Sequence, residues 1–188
     1  MGLDMYLEAK VYVSGYEHSA EEDQKRYRRA VGLVGLEAVA DPGAPSAEVS
    51  VTVAYWRKAN AIHGWFVRNV QDGEDDCGDY YVTREQLHEL RDLCRKVLEV
   101  ADVAEGQPVH SGTTYRAGGV VEEHFQEGRA ILNSAEVAEL LPTAAGFFFG
   151  TTGYDEWYLR DIERTVEVLD RVLENAPDTC SFYYRASW

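Results

Sequence analysis

The chain has 188 residues, of which 33 are acidic and 18 are basic, giving a formal net charge of −15. Apolar residues make up 45% of it and aromatic residues 12%, a composition that excludes an intrinsically disordered protein. A chain of this length buries about two-thirds of its unfolded surface. We therefore expect a single globular domain over residues 1–188 that needs no metal, cofactor or disulfide to fold.

The negative charge is unevenly distributed along the chain. Residues 1–68 carry 9 acidic and 8 basic side chains, a net of −1, whereas residues 69–188 carry 24 and 10, a net of −14. A field of that sign repels nucleic-acid backbones, so we expect no direct binding of DNA or RNA. An acidic surface instead suits contact with a basic partner or mimicry of a nucleic acid, and solubility alone is the commoner reason for such charge.

Cysteine spacing and hydropathy argue against disulfide-rich, zinc-binding and membrane-spanning proteins. Cys77, Cys94 and Cys180 are widely spaced and form no Cys-x-x-Cys motif, so the sequence predicts neither a disulfide framework nor a zinc site. No apolar run approaches the ~18 residues of a membrane span. The N-terminus MGLDMYLEAK lacks a basic region followed by an apolar stretch. We expect a cytoplasmic protein with no membrane contact.

The first third of the chain predicts two strands. MYLEAKVYV (residues 5–13) and EVSVTV (residues 48–53) are rich in tyrosine and β-branched residues, as strands are. Residues 21–30 are polar and predict a short exposed helix or a loop. Residues 30–40 are apolar with two glycines but no complete phosphate-loop fingerprint, and predict a buried strand or a helix relaxed by glycine.

The stretch YWRKANAIHGWFVRNVQDGEDDC (residues 55–77) holds the densest set of functional side chains. A helix over about residues 54–70 places a core stripe on one side. The adjoining stripe then holds Trp56, Asn60, His63 and Val67, with Arg57 and Lys58 on the remaining arc. Such a stripe either lines a pocket or packs at the boundary of the core with its polar tips satisfied.

The acidic loop QDGEDDCGD (residues 71–79) follows this helix. Clustered carboxylates suit calcium or magnesium, but the glycine comes too early for a calcium-binding loop. The loop therefore favours a solvated turn over a metal site.

The next elements are a short strand and a capped helix. Residues 80–82 predict the strand, and Thr83 and Gln86 form a capping box that begins a helix ending near Val100. Cys94 falls in its apolar stripe and is expected in the core. Residues 101–130 contain several glycines and predict an irregular hairpin or an excursion over the fold, and residues 133–141 predict a short helix.

The last third predicts a strand, a helix and a strand. GFFFG (residues 146–150) indicates a buried strand, and residues 151–156 begin a long helix with a threonine cap. SFYYRASW (residues 181–188) is an aromatic strand. Together the elements predict an α+β fold with a mainly antiparallel sheet packed against three main helices. Its predicted strands are residues 5–13, 48–53, 80–82, 147–149 and 181–187.

Five blocks of the sequence carry a resemblance. They are MGLDMYL, YWRKANAIHGWFV followed by DDC, YYVTREQL, LLPTAAGFFFGTTGYDEWYL and FYYRASW. Together they resemble a family of small proteins of tailed bacteriophages and prophages. The resemblance implies a phage or prophage origin, and it supplies no reaction, cofactor or catalytic residue.

The first functional hypothesis is a protein that binds and sequesters a small, anionic, nucleotide-like molecule, for example in counter-defence. Rings could stack on a base while cations hold phosphate. The predicted ligand-binding residues are Trp56, Arg57, Lys58, Asn60, His63, Phe149 and Tyr154.

Two other classes remain open. An acidic protein-interaction module would dock on a basic host protein and inhibit it, as the charge distribution allows. A hydrolase or transferase would use His63 with a carboxylate such as Asp76 or Asp4 as general acid and base.

Overall fold

The computed structural model describes residues 2–115, 119, 121–146 and 149–188. It has the predicted α+β architecture. The elements in chain order are β1 (Asp4–Ser14), α1 (Glu21–Leu33), β2 (Ser46–Arg57), α2 (Asn60–Asn69), β3 (Tyr80–Val82), α3 (Arg84–Val100), β4 (Val103–Tyr115), β5 (Val121–Ile131), α4 (Ser134–Leu140), α5 (Glu156–Asn175) and β6 (Ser181–Ser187).

Among the described residues, four strands form one antiparallel sheet in the order β2-β1-β6-β3. Because side chains alternate along a strand, one face of the sheet is apolar. Leu7 of β1 lies opposite Ala54 of β2 and Tyr184 of β6, and all three are buried. The predicted strands at residues 5–13, 80–82 and 181–187 are confirmed, and the strand predicted at residues 48–53 lies within the longer β2.

The core lies between this face and the long helices. α3 and α5 contribute regularly spaced apolar residues, as an amphipathic helix requires. The predicted capping box is confirmed, since Thr83 accepts from the Gln86 backbone and the Gln86 side chain accepts from the Thr83 backbone. Cys94 is fully buried, as predicted. No helix in the described part of the chain is both long and apolar enough to cross a membrane.

The hairpin alternative for residues 101–130 is confirmed for the described residues, where β4 and β5 pair as a two-stranded antiparallel ribbon with two register shifts. Its base is fixed to the start of α5. Arg129 donates to Glu156 at 2.8 Å and to Glu163 at 2.6 Å, and Ala130 pairs with Asp155. Glycine-rich composition suggested irregularity, but cross-strand pairing over most of both strands outweighs it.

The predicted helix over residues 54–70 is wrong at its start. Tyr55, Trp56 and Arg57 belong to β2, whose pairing with β1 continues to the contact between Asp4 and Arg57. Lys58 then has a positive φ of 62°, which ends the strand, and α2 begins at Asn60. A run of aromatic and apolar residues fits both periods, so sequence alone did not separate strand from helix.

Of the two alternatives for residues 30–40, the buried strand is wrong and the helix is right only for residues 30–33. α1 continues to Leu33 and turns follow it, leaving Leu33, Val34, Leu36 and Val39 between 51% and 78% exposed. Only Val31 of α1 is buried. The place beside β1 is taken by β2, so no sheet position remains for this segment on that side of β1.

Two details before α5 differ from expectation. The predicted strand at residues 147–149 falls partly on residues 147 and 148, which lie outside the described residues, and Phe149 itself belongs to no strand. The α5 cap is Asp155 rather than a threonine, and its carboxylate accepts from the Trp157 backbone at 2.9 Å. Asp is as good an N-cap as Thr, and the chain turns into the helix only there.

Candidate functional site

Two polar clusters contain the side chains that the sequence indicated. The first, called here the closed cluster, consists of His63, Asp75, Tyr184 and Trp188. His63 on α2 is 1% exposed. Its Nδ1 lies 2.8 Å from the Tyr184 hydroxyl and its Nε2 lies 2.9 Å from Asp75 Oδ2. The other oxygen of Asp75 accepts from the Trp188 indole at 3.0 Å.

One arrangement of protons gives a hydrogen-bond partner to both ring nitrogens of His63, to the Tyr184 hydroxyl and to the Asp75 carboxylate. Burial raises the pKa of Tyr184 well above its ordinary value, so its hydroxyl keeps its proton and donates to Nδ1 of His63. The Nε2–H of His63 then donates to the Asp75 carboxylate. Tyr184 also stacks on Phe66, with ring centroids 3.8 Å apart. The cluster ties the acidic loop and β6 to the core.

The carboxylate partner of His63 is thus Asp75, and neither Asp76 nor Asp4 contacts it. Asp76 accepts from the Gly78 backbone and the Tyr80 hydroxyl, while Asp4 accepts from Tyr55 and Arg57. Because both ring nitrogens of His63 are occupied and the ring is buried, a substrate has no access to it as a general base.

The second cluster lines a cleft of about 660 Å³. Four segments form its walls: residues 57–61 between β2 and α2, residues 110–113 of β4, the loop before α5, and residues 157–161 of α5. The ribbon therefore closes one side of a cleft whose other side belongs to the main sheet and its helices. Clefts of this size at the junction of substructures are where small molecules bind.

Asn60 builds the cleft rather than offering a free group to it. Its Nδ2 donates to the carbonyls of Phe149 and Thr151 at 3.0 and 2.7 Å, and its Oδ1 accepts from the Ala144 backbone at 3.1 Å. Asn60 is 5% exposed. It holds the loop that forms one wall of the cleft.

Arg57 and Lys58 bring positive charge to the cleft. Arg57 is exposed and gives only Nη1 to Asp4, so within the described contacts its Nη2 and Nε remain available. Lys58 lies against Gly150, where an added Cβ would approach its Cβ to 3.2 Å. It has no ion-pair partner in the described part of the chain. These are the two cationic residues predicted from sequence.

The remaining predicted residues lie outside the cleft lining. Trp56 is buried and its indole donates to Thr165 at 3.0 Å. Phe149 is buried with its ring edge-on to His63. The Tyr154 hydroxyl accepts from the Thr143 backbone at 3.2 Å. The structure therefore places Arg57, Lys58 and Asn60 at the cleft and assigns Trp56, His63, Phe149 and Tyr154 to packing around it.

Asp161 on α5 is the side chain that sequence reasoning missed. It is half-buried, lines the cleft, and has no hydrogen-bond or salt-bridge partner for its carboxylate among the described residues. Burial raises the pKa of Asp161 to about 7, and the nearby Asp155 carboxylate contributes to the rise. A perturbed carboxyl in a cleft is a candidate functional residue.

Aromatic and hydroxyl groups complete the lining. The Trp157 ring is 37% exposed, and its indole donates to the His110 carbonyl at 2.9 Å. His110 Nε2 lies 3.0 Å from the Thr113 hydroxyl. The Tyr158 hydroxyl donates to the Leu141 carbonyl, and burial raises the pKa of Tyr158. One feature of the sequence could have indicated these residues. Trp157 and Asp161 are four residues apart and lie beside the apolar stripe of α5, so they share one face of the helix.

No group of three or more histidine, cysteine, aspartate or glutamate side chains in the described residues is arranged to hold a metal ion. Two carboxylates of the acidic loop, those of Asp75 and Asp76, make hydrogen bonds within the protein. The chemistry that the cleft offers is hydrogen bonding, charge and stacking.

Comparison of the chain with protein-family models, with curated proteins and with solved structures finds no match. The resemblance to small proteins of tailed bacteriophages and prophages therefore stays a prediction.

Proposed function

We propose that this protein binds, and thereby sequesters, a small anionic ligand of nucleotide-like chemistry in the cleft. The observation that carries the proposal is the Asp161 carboxylate, which lines the cleft without a partner among the described residues. Asp161 is half-buried, and its carboxylate is partly desolvated while still reaching solvent in the cleft. A ligand that brings N–H donors to Asp161 replaces the water that it displaces, so ligand binding is a role that this carboxylate fits.

Positive charge in the same cleft supports an anionic ligand. The free N–H groups of Arg57 and the ammonium of Lys58 are the groups that proteins use to bind phosphate, Arg through paired hydrogen bonds and Lys as a point charge. Arg57 keeps N–H groups beyond its pair with Asp4, and Lys58 has no ion-pair partner among the described residues. Their position in the cleft favours a ligand whose negative charge they neutralise.

The Trp157 ring supports a planar group on that ligand. It combines exposed ring surface with an indole N–H fixed by the His110 carbonyl, so its orientation is set before a ligand arrives. Stacking of a base on such a ring contributes roughly 1–3 kcal/mol. The ligand that fits these groups carries an anionic group, a planar ring that can stack and N–H donors. A nucleotide combines all three. A phage or prophage origin would make counter-defence the purpose of sequestering it.

Native mass spectrometry beside the denatured mass tests for a ligand retained from the cell. A panel of nucleoside mono- and diphosphates is then screened by thermal shift, where a ligand that binds only the folded state raises Tm. Arg57→Gln should weaken nucleotide binding roughly tenfold by removing charge-assisted hydrogen bonds. The matched control is Arg164→Gln, because Arg164 pairs with Glu167 on the exposed side of α5 outside the cleft.

No retained mass together with no shift from any nucleotide would contradict the proposal. Equal weakening by Arg57→Gln and Arg164→Gln would also contradict it, since the effect would then reflect net charge rather than the cleft.

The alternative function, docking on a basic host protein, is favoured by one observation. β5 is exposed over its first seven residues, which include Glu122, Glu123 and Glu127. The expected signature is capture of a basic host protein that is lost at moderate salt and in the Glu123→Lys, Glu127→Lys variant. Capture that is indifferent to salt and to that variant would exclude it.

A further inference from the structure

Asp161 is the one carboxylate among the described residues of the cleft lining. The acidic residues near it are already engaged. Asp155 caps α5, and Glu156 and Glu163 are both held by Arg129. In contrast to these neighbours, Asp161 has neither carboxylate oxygen paired with a described residue.

The charged and titratable groups around Asp161 do not neutralise it. On α5, Asp155 is a like charge. From the ribbon, His110 is engaged with Thr113. From the end of β2, Arg57 is paired with Asp4 and Lys58 lies against Gly150. Two adjacent acceptor oxygens without a donor among the described residues match a ligand edge that presents two adjacent N–H donors.

We propose that Asp161 reads the hydrogen-bonding edge of a nucleobase and selects guanine over adenine. This inference rests on the proposed function, nucleotide binding in the cleft. The Watson–Crick edge of guanine offers N1–H and the N2 amino group side by side, so each meets one carboxylate oxygen. Adenine offers one amino donor beside the N1 acceptor, whose lone pair would face a carboxylate oxygen. A buried polar group left without a donor penalises the wrong ligand.

The position of Asp161 on α5 suits this role. It follows Trp157 by four residues, so the two side chains lie on neighbouring turns of one helix face, and both line the cleft. A base stacked on the Trp157 ring therefore extends its edge along the helix surface where Asp161 lies. The same helix supplies the ring and the acceptors, which fixes their relative placement.

Asp161→Asn provides a test that conserves size while changing hydrogen-bonding character. The amide has one acceptor oxygen and one donor nitrogen, so it cannot accept from N1–H and the N2 amino group of guanine together, and it can pair with either base through one donor and one acceptor. Because burial raises the pKa of Asp161 to about 7, binding is measured at pH 8, where the carboxylate is ionised. The control is Asp178→Asn, at an exposed aspartate outside the cleft.

The experiment is isothermal titration calorimetry of the full chain with GMP, IMP and AMP. For the wild type we expect GMP to bind roughly 10- to 100-fold more tightly than AMP, the range of a good bidentate contact. IMP, which lacks the N2 amino group, should fall between them. Asp161→Asn should abolish most of the preference for GMP over AMP, and Asp178→Asn should leave the wild-type preference intact.

The outcomes separate the inference from the proposed function. If GMP and AMP bind the wild type equally, or if Asp161→Asn keeps the preference for GMP, the inference is overturned while nucleotide binding stands. If none of the three nucleotides binds the wild type, both fail for these ligands. The comparison of GMP with IMP needs no variant, so a folding defect in Asp161→Asn does not remove the test.

Discussion

The closed cluster and the cleft differ in how many of their polar side-chain atoms have hydrogen-bond partners within the chain. In the closed cluster, both nitrogens of His63 and both oxygens of Asp75 meet partners within the chain. In the cleft, Asp161 has no partner among the described residues, and Arg57 and Lys58 keep donors free. Satisfied polar groups stabilise a fold, whereas an unsatisfied set that surrounds an open volume is suited to a ligand.

The two clusters are nevertheless connected by one helix. α2 contributes Asn60, which fixes a wall of the cleft, and one turn later His63, which is the centre of the closed cluster. Asn60 and His63 therefore serve different clusters, so substitutions at these two positions should have different consequences. A substitution at Asp161, which lines the cleft, should differ from both. The predictions below run from the largest change in the free energy of unfolding to the smallest.

His63→Ala should cost about 3–4 kcal/mol, because it leaves the Tyr184 hydroxyl and Asp75 without their partner and opens a cavity in the core. Urea denaturation measures the loss. Tyr184→Phe, which removes only one hydroxyl, should cost about 1–2 kcal/mol. The matched control is Tyr183→Phe on the opposite face of β6, with an expected cost below about 0.5 kcal/mol.

If His63→Ala were as stable as the wild type, the closed cluster would not be structural. His63 would then again be a candidate general acid or base, and the distinction between a structural closed cluster and a ligand-binding cleft would be wrong.

Asn60→Ala should cost about 2–3 kcal/mol, since three hydrogen bonds to backbone groups of the cleft loop are lost together. The Ala144 amide should lose its protection from hydrogen exchange, and nucleotide binding should weaken with it. Asn69→Ala is the control, because Asn69 makes one side-chain bond, to the Trp65 carbonyl, from an exposed position. Unchanged exchange at Ala144 in Asn60→Ala would show that the loop is held by other contacts.

Asp161→Asn should stabilise the free protein, and the effect should depend on pH. The folded state raises the pKa of Asp161 from 3.8 to about 7, so between these values it retains a proton that the unfolded chain releases. That contribution is fully present below about pH 4 and is lost as the pH rises through about 7. We expect Asp161→Asn to be about 2 kcal/mol more stable than the wild type at pH 8, a value that allows for solvent near a half-buried carboxyl.

The same comparison at pH 4 should show little difference, and Asp178→Asn should differ from the wild type equally at both values. A pH-independent effect of Asp161→Asn would mean that the carboxyl is not destabilised when ionised. The cleft would then lack the unfavourable feature that a ligand is proposed to relieve.

Local patterns in the sequence were sufficient for much of the fold. Alternation predicted β1 and β6, and the capping box at Thr83 predicted the start of α3, because these signals involve neighbours in the chain. The boundary between β2 and α2 was missed because it depends on pairing with β1, and the aromatic residues before Lys58 fit both a strand and a helix.

The cleft was only partly predictable. Arg57, Lys58 and Asn60 were identified as ligand-binding candidates, and they do meet at one site, although through a strand end and a turn rather than through a helical stripe. Asp161 was missed because its significance depends on the absence of partners, which no sequence pattern reports. The ribbon contact from the Trp157 indole to His110 spans 47 residues and has no local signature.

The most direct test of the central claim, that the cleft and not the closed cluster binds a nucleotide, uses three of the four tryptophans as reporters. Their indole N–H groups have different partners: Trp157 donates to His110 at the cleft, Trp188 donates to Asp75 in the closed cluster, and Trp56 donates to Thr165 in the core. Nitrogen–proton correlation spectra recorded during titration with GMP should show the Trp157 indole signal shifting with saturation while those of Trp188 and Trp56 stay in place. A saturable shift of the Trp188 signal with Trp157 unmoved would contradict the account.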